Sequence, residues 1–170
     1  ATIGARAVTT AEAADDRIGD VAIVATPPGT HVDAAVTLLD AGYHVVVEAP
    51  IAATLTDADR LVAAEERHAR PVLYSEHLVA SPAMDAVLTE VRELGRPTHL
   101  SARALQAPPA WRSTDRRRDW GGGALFDLGV HPIGLVLRTA AEAGLGRPTS
   151  VAAVVTDVHT DHEHATVTIG

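Results

Sequence analysis

VAIVATPPGTHVDAAVTLLDAGYHVVVEAPIAAT, residues 21–54, sets two apolar runs on either side of one amphipathic stretch. Val21 to Thr26 is apolar and β-rich throughout and is closed by Pro27-Pro28-Gly29, the pattern of a strand buried on both faces. It reads as a central parallel strand. Thr30 is placed to cap a helix running through Leu39 and Ala41, with Gly42 as its stop, and His44 to Glu48 is a second apolar strand ended by Pro50. Downstream, a helix is expected from about Thr56, with Asp59 three residues on as an approximate capping box, to about Ala69 before Arg70-Pro71. Val72 to Ser75 makes a third strand. Upstream, TTAEAADDRIGD (residues 9–20) reads as a short helix or loop. The resulting β-α-β-α-β alternation, with right-handed crossovers, gives a parallel sheet whose C-terminal strand ends carry a ligand. Those ends are Thr26-Pro27-Pro28, Glu48-Ala49-Pro50 and Glu76-His77.

Beyond Ser81-Pro82 the pattern changes. These two are cap and first-turn residues for a helix reaching Leu94, with Gly95 as its stop. Thr98 to Leu105 alternates as a half-buried strand would, and Val151 to Val158 and Ala165 to Ile169 read as further strands. The expected fold class is therefore α/β: a partial Rossmann-like parallel sheet in residues 1–78, followed in residues 79–170 by an α+β domain with a mixed or antiparallel open sheet.

Trp120 to Ala140, WGGGALFDLGVHPIGLVLRTA, carries the densest chemistry. Gly121 to Gly123 allow close backbone approach to a ligand before a helix pattern of Ala124, Leu125, Leu128, Leu135 and Leu137 takes over. Asp127 and His131 are four residues apart and would share one face of that helix. A carboxylate beside an imidazole is an arrangement used for proton transfer near neutral pH. The plainer alternative is a capped core helix whose Asp and His only pair with each other.

Composition narrows the classes. The 170 residues are 46% hydrophobic, enough to fill a core in one ordinary domain or two small ones. A net charge of −8 argues against a nucleic-acid or membrane-surface partner, because such binding needs clustered positive charge. The absence of cysteine removes disulfides and thiolate chemistry, and no signal peptide or apolar run of membrane-spanning length is seen, so a cytoplasmic location is the default. All 14 basic residues are Arg, so no lysine performs chemistry in this chain. No metal site is expected. His159, His162 and His164, with Asp161 and Glu163, could bind a divalent cation, but strand alternation puts His159 on the other face, and a solvated turn is the better reading. Arg116 to Arg118 read as a solvated loop run, and Trp111 and Trp120 as anchors of that loop to the core.

Residues 21–54, followed about 70 residues later by WGGGALFDLGVHPIGL, resemble the Gfo/Idh/MocA family of NAD(P)-dependent oxidoreductases. The order and spacing of several separated motifs carry the resemblance from about Asp20 onward. It implies that Thr26, Pro27 and His31 sit beside the ribose and pyrophosphate of NAD or NADP, that Glu48 lies near the nicotinamide ribose, and that Pro50 belongs to the same cofactor-binding set. It also implies that Asp127 and His131 are the substrate-side carboxylate and imidazole, with His131 accepting a proton from a sugar or polyol hydroxyl as hydride leaves carbon. The strand ends at Thr26, Glu48 and His77 are expected to face that pair.

Three departures qualify this. The family's Glu-Lys-Pro reads Glu48-Ala49-Pro50, so the ammonium is replaced by a methyl; Arg112 and Arg116 to Arg118 are the nearest substitutes by chain order. The Asp often found three residues after the family His is Gly134. No Gly-x-Gly-x-x-Gly is present, which suggests a fragment, or a shortened paralogue, that binds dinucleotide weakly by itself. The expected function is hydride transfer between a nicotinamide cofactor and a sugar- or polyol-like substrate. The alternative is a non-catalytic relative with a ligand-binding or scaffold role. Self-association through the second-domain sheet is the expected oligomer contact.

Overall fold

The computed structural model describes residues 9–16, 18–106, 124–156 and 164–170. The chain divides into two units, Ala1–Ser75 and Glu76–Gly170. In the first, α1 (Thr10–Asp16) precedes β1 (Val21–Val24), α2 (His31–Asp40), β2 (His44–Glu48), α3 (Leu55–His68) and β3 (Val72–Ser75). The three strands are parallel in the order β1-β2-β3, with Val24 beside Val47 and Glu48 beside Ser75. Val24, Val45 and Val47 share a core with Ala35, Leu38 and Leu39 of α2 and Leu61 and Ala64 of α3. Tyr43 closes one end of it, its hydroxyl donating to the Ala13 carbonyl at 2.7 Å.

Val21 to Thr26 was expected to be a central strand buried on both faces. The strand is shorter, and among the described residues it is an edge strand, with β2 in the middle. Its side chains alternate: Val24 is buried, whereas Val21 and Ile23 are 60% and 71% exposed. The helices cover one face of the sheet, and Leu73 of β3 is exposed as well. An all-apolar run hides this one-sidedness, because sequence alternation is what marks a strand with one open face.

Local chemistry explains the helix ends. The start expected near Thr56 lies two residues earlier: Thr54 is the cap, its hydroxyl accepting from the Asp57 N–H at 3.1 Å and pairing with the Asp57 carboxylate at 2.8 Å. The Asp57 carboxylate accepts from the Thr54 hydroxyl, not from its N–H, so this is a side-chain cap steadied by Asp57 and not a capping box. α3 ends at Ala69, a non-glycine residue in the left-handed region at φ 49°. Thr30 precedes α2 as expected, but its hydroxyl makes no capping bond. It donates to the Pro27 carbonyl at 2.8 Å and lies 2.9 Å from the Thr26 hydroxyl, so it ties the loop rather than the helix.

The second unit contains α4 (Pro82–Leu94), α5 (Ala124–Asp127), α6 (Val130–Glu142) and the antiparallel pair β4 (Val151–Thr156) and β5 (His164–Ile169). Ser81 caps α4 by accepting from the Met84 N–H at 3.2 Å, and Gly95 at φ 81° terminates it. α4 packs on α6, and Arg92 donates to Glu142 at 2.6 Å on their flank. The strand expected over Thr98 to Leu105 is not formed. Its sequence alternates, but a strand needs a ladder partner; β4 and β5 pair with each other, and Leu105 is 81% exposed. The single helix expected from Ala124 onward is broken at Leu128-Gly129. A continuous helix would place Pro132 in its interior, where a missing N–H and a ring clash cost about 3 kcal/mol. Restarting at Val130 puts Pro132 in a first turn, where no N–H is needed. No helix among the described residues is long and apolar enough to cross a membrane.

Candidate functional site

The C-terminal ends of β1 and β2 lead into loops joined by one side chain. His31, the first residue of α2, is 1% exposed. Its Nδ1 lies 2.9 Å from the Pro50 carbonyl and its Nε2 2.6 Å from the Thr26 carbonyl. The ring thus clasps the β1 loop to the β2 loop. Thr26 and Pro27 are exposed, Glu48 is half-buried, and Pro50 is buried. Any effect of His31 or Pro50 on a ligand therefore passes through the loops they hold. Glu48 accepts from the Ala49 N–H at 3.0 Å and from the Ser75 hydroxyl at 3.2 Å, which fixes its carboxylate at the strand end. Thr30 gives α2 no side-chain cap, and the His31 N–H is taken by the Pro28 carbonyl of the preceding turn, so the positive end of the helix dipole is presented by the N–H groups beyond His31.

The second unit brings together residues that spacing did not connect. Glu76, at the start of that unit, is 3% exposed. Its carboxylate accepts from the Val79 N–H at 2.6 Å, from the Leu78 N–H at 3.3 Å and, through Oε1, from Nδ1 of His131 in a short hydrogen bond. Burial, the strongest single influence, pushes the Glu76 carboxyl up. The hydrogen bonds from His131, Val79 and Leu78, with the attraction of the imidazole, outweigh it together and hold the group below its ordinary value. At neutral pH it is a carboxylate and only accepts, so the proton between them sits on His131 Nδ1.

His77 meets the His131 ring edge to face, with centroids 4.9 Å apart, and its Nδ1 lies 4.0 Å from Glu76 Oε1. Glu76, His77 and His131 offer ligand atoms within 4.8 Å of one another, a spacing a cation could accept. The Glu76 oxygens are already engaged by three N–H donors, which favours a proton site over a metal site. Gly134 makes room for Val79, beside the carboxylate: a Cβ there would lie a tight 3.1 Å from Val79 Cγ2 and an ordinary 3.8 Å from Glu76 Oε2.

Asp127 is the last residue of α5 and His131 the second of α6, so the two do not ride one uninterrupted helix. Glu76 is the carboxylate that sequence reasoning missed as a partner of His131. It stands 55 residues away in the chain, and its only signal was its place at the end of an apolar strand. Gly121 to Gly123, Trp111, Trp120, Arg112, Arg116 to Arg118, His159, Asp161, His162 and Glu163 lie outside the described residues, as does the side chain of His164.

Residues 3–77 match a family model described as "Oxidoreductase family, NAD-binding Rossmann fold", and residues 87–169 match the "GFO/IDH/MocA C-terminal domain". The chain is 34% identical over 139 residues to 1,5-anhydro-D-fructose reductase of Ensifer adhaerens, covering 76% of this chain and 40% of the relative. Among solved structures it is similar to GenD2 from gentamicin A biosynthesis, in complex with NAD (26% identity, TM-score 0.73), over 98% of this chain and 49% of that one. It is likewise similar to UDP-N-acetylglucosamine 3-dehydrogenase GnnA from Acidithiobacillus ferrooxidans (25% identity, TM-score 0.72), over 95% of this chain and 47% of that one. The chain spans about half, or less, of the length of each of these proteins.

Proposed function

Because the chain belongs to the GFO/IDH/MocA oxidoreductase family, we propose that it takes part in hydride transfer between NAD or NADP and a sugar- or polyol-like substrate. The observation that carries this reading is the His131 imidazole, oriented through Nδ1 by a buried carboxylate and embedded in a chain that matches both parts of the family in order. The uncapped start of α2, the exposed Thr26 and Pro27 and the fixed Glu48 carboxylate fit a dinucleotide, with His31 and Pro50 holding their loops in place. When bound, the nicotinamide accepts or supplies the hydride. His131 takes the hydroxyl proton on oxidation and returns it on reduction. Asp127, half-buried at the end of α5, contributes a second carboxylate to the substrate side. The reaction belongs in the cytoplasm. The exposed Val151 and Val154 of β4 are the surface for self-association.

Ala49 supports a second reading, a relative that binds a ligand without turnover, because a methyl cannot replace a charged donor at a reacting oxygen. One experiment separates the two. The complete gene product is assayed with NADH and NADPH against a panel of keto sugars and nucleotide sugars, alongside His131→Ala and Ala49→Lys. The catalytic reading expects His131→Ala to lower kcat by about 10²–10⁴-fold and Ala49→Lys to raise it. Robust wild-type activity that survives His131→Ala removes His131 from the mechanism. If no substrate turns over even in Ala49→Lys, the ligand-binding reading stands.

A further inference from the structure

We propose that Glu76 is a positioning residue for the acid/base site, fixing His131 as the Nδ1–H tautomer and making Nε2 the atom that exchanges a proton with the substrate hydroxyl. This rests on the oxidoreductase reading above and names the working atom within it. An imidazole free to turn offers either nitrogen, and a base with its lone pair on the wrong one cannot take a proton. Three features remove that freedom here. The Glu76 side chain is 2% exposed, so water does not compete for its oxygens. The Val79 N–H holds the other oxygen, Oε2, and the Leu78 N–H shares Oε1 with His131, so the carboxylate does not rotate with the ring. Gly134, with no side chain, lets the Val79 side chain, next to the N–H that holds Oε2, lie close against α6.

The proton balance is simple. On oxidation the substrate O–H bond breaks and its proton bonds to Nε2, while the hydride leaves carbon for the nicotinamide. The imidazolium so formed carries N–H on both nitrogens, and the Glu76 carboxylate offsets its charge without itself taking the proton. On reduction Nε2 returns the proton to the carbonyl oxygen. His77 does not share the orienting role: its side chain is 64% exposed, and its Nδ1 is 4.0 Å from the carboxylate, beyond a hydrogen bond.

The test reads the tautomer directly. Long-range imidazole proton–nitrogen NMR spectra of the nitrogen-labelled chain, with His131 assigned by its loss in His131→Ala, show which ring nitrogen carries the proton in the neutral form. The expected result is a protonated Nδ1 in the wild type. Glu76→Gln keeps a carbonyl that accepts from Nδ1 and should keep the tautomer, while Glu76→Leu should release the proton to Nε2. In the complete gene product, Glu76→Leu should lower kcat on the order of a hundredfold or more with KM little changed, and Glu76→Gln should lose less. If Glu76→Leu does not fold, the wild type and Glu76→Gln still decide the tautomer. The readout needs no turnover: an inactive wild type overturns the proposed function and not the tautomer. A wild-type His131 protonated on Nε2 in an active enzyme overturns the role of Glu76 alone. So does uptake of one equivalent of zinc that displaces the Nδ1 proton.

Discussion

His31 and His131 are each near the start of a helix, and each has a ring nitrogen in a buried hydrogen bond, yet they are built for different work. His31 has both nitrogens against backbone carbonyls and is 1% exposed, so it has nothing left to offer a ligand. His131 has its Nδ1 against a carboxylate, and its side chain keeps 16% exposure. A histidine with a backbone carbonyl against each nitrogen, only one of which a neutral ring can donate to, is a clasp, and one bonded through a single nitrogen to an anion is a base held at a fixed angle. Residue type does not separate the two roles; partner number and partner charge do.

The largest break in the comparison is expected from His31→Ala. The substitution leaves the Pro50 and Thr26 carbonyls without their partner and opens a cavity beneath α2, at a cost of about 2–4 kcal/mol. Chemical denaturation of the chain measures it. His131→Ala should cost less stability, because Glu76 keeps the Leu78 and Val79 N–H groups. Equal losses for the two variants would mean that His131, too, is mainly a structural clasp.

A smaller effect is expected at the helix break that sets the direction of His131. Gly129 has an ordinary helical φ of −66°, so its need for glycine is steric rather than conformational. A Cβ there would stand 2.4 Å from the Leu125 carbonyl oxygen. Gly129→Ala must shift α5 relative to the start of α6, and a loss of about 1–3 kcal/mol is expected. A thermal midpoint equal to that of the wild type would show that the turn relaxes freely and does not fix His131.

The two regions also differ in how far the sequence exposed them. β2 and β3 begin and end where their apolar runs do, because Gly42, Pro50 and Pro71 punctuate them and burial on the helix side makes the pattern plain. The apolar run of β1 continues to the Pro27-Pro28 stop, but its ladder ends earlier, at Val24, so the sequence makes the strand look two residues too long. In the second unit, Pro132 already held the signal for the break between α5 and α6, and the i, i+4 spacing of Asp127 and His131 masked it. Glu76 was out of reach for a different reason. Spacing rules find partners within one helix or strand, and a pair 55 residues apart is made only when the fold closes. Thr98 to Leu105 failed the opposite way, with a strand-like pattern and no partner to use it.

The finest distinction between clasp and base is electrical, and it predicts an acid-sensitive difference. His31 meets only neutral carbonyls, whereas His131 meets Glu76, whose carboxyl is held below its ordinary value of 4.5 because its hydrogen bonds outweigh burial. A group with a lowered folded-state pKa contributes stability that is complete above its unfolded value and is lost as pH falls through the folded one. Glu76 should therefore stabilise the second unit fully at neutral pH and begin to lose that contribution as pH falls below about 4.5. The carboxylates of Asp40 and Glu142 are lowered by Arg67 and Arg92, and that of Asp57 by the Thr54 hydroxyl and then Arg60, so the wild-type acid transition alone does not isolate Glu76. The difference between wild type and Glu76→Gln does, since that substitution removes one titrating group and leaves the others. Thermal midpoints of both proteins, measured from neutral pH downward, should differ at neutrality and converge as the medium becomes more acidic than pH 4.5. A difference that stays constant would mean that the carboxyl titrates alike in the folded and unfolded chain. A wild type that gains on Glu76→Gln as pH falls from neutrality toward 4.5 would mean that Glu76 is already protonated in the folded state at neutral pH. It could then donate to His131, the Nδ1 proton would no longer be required, and the electrical contrast with His31 would collapse.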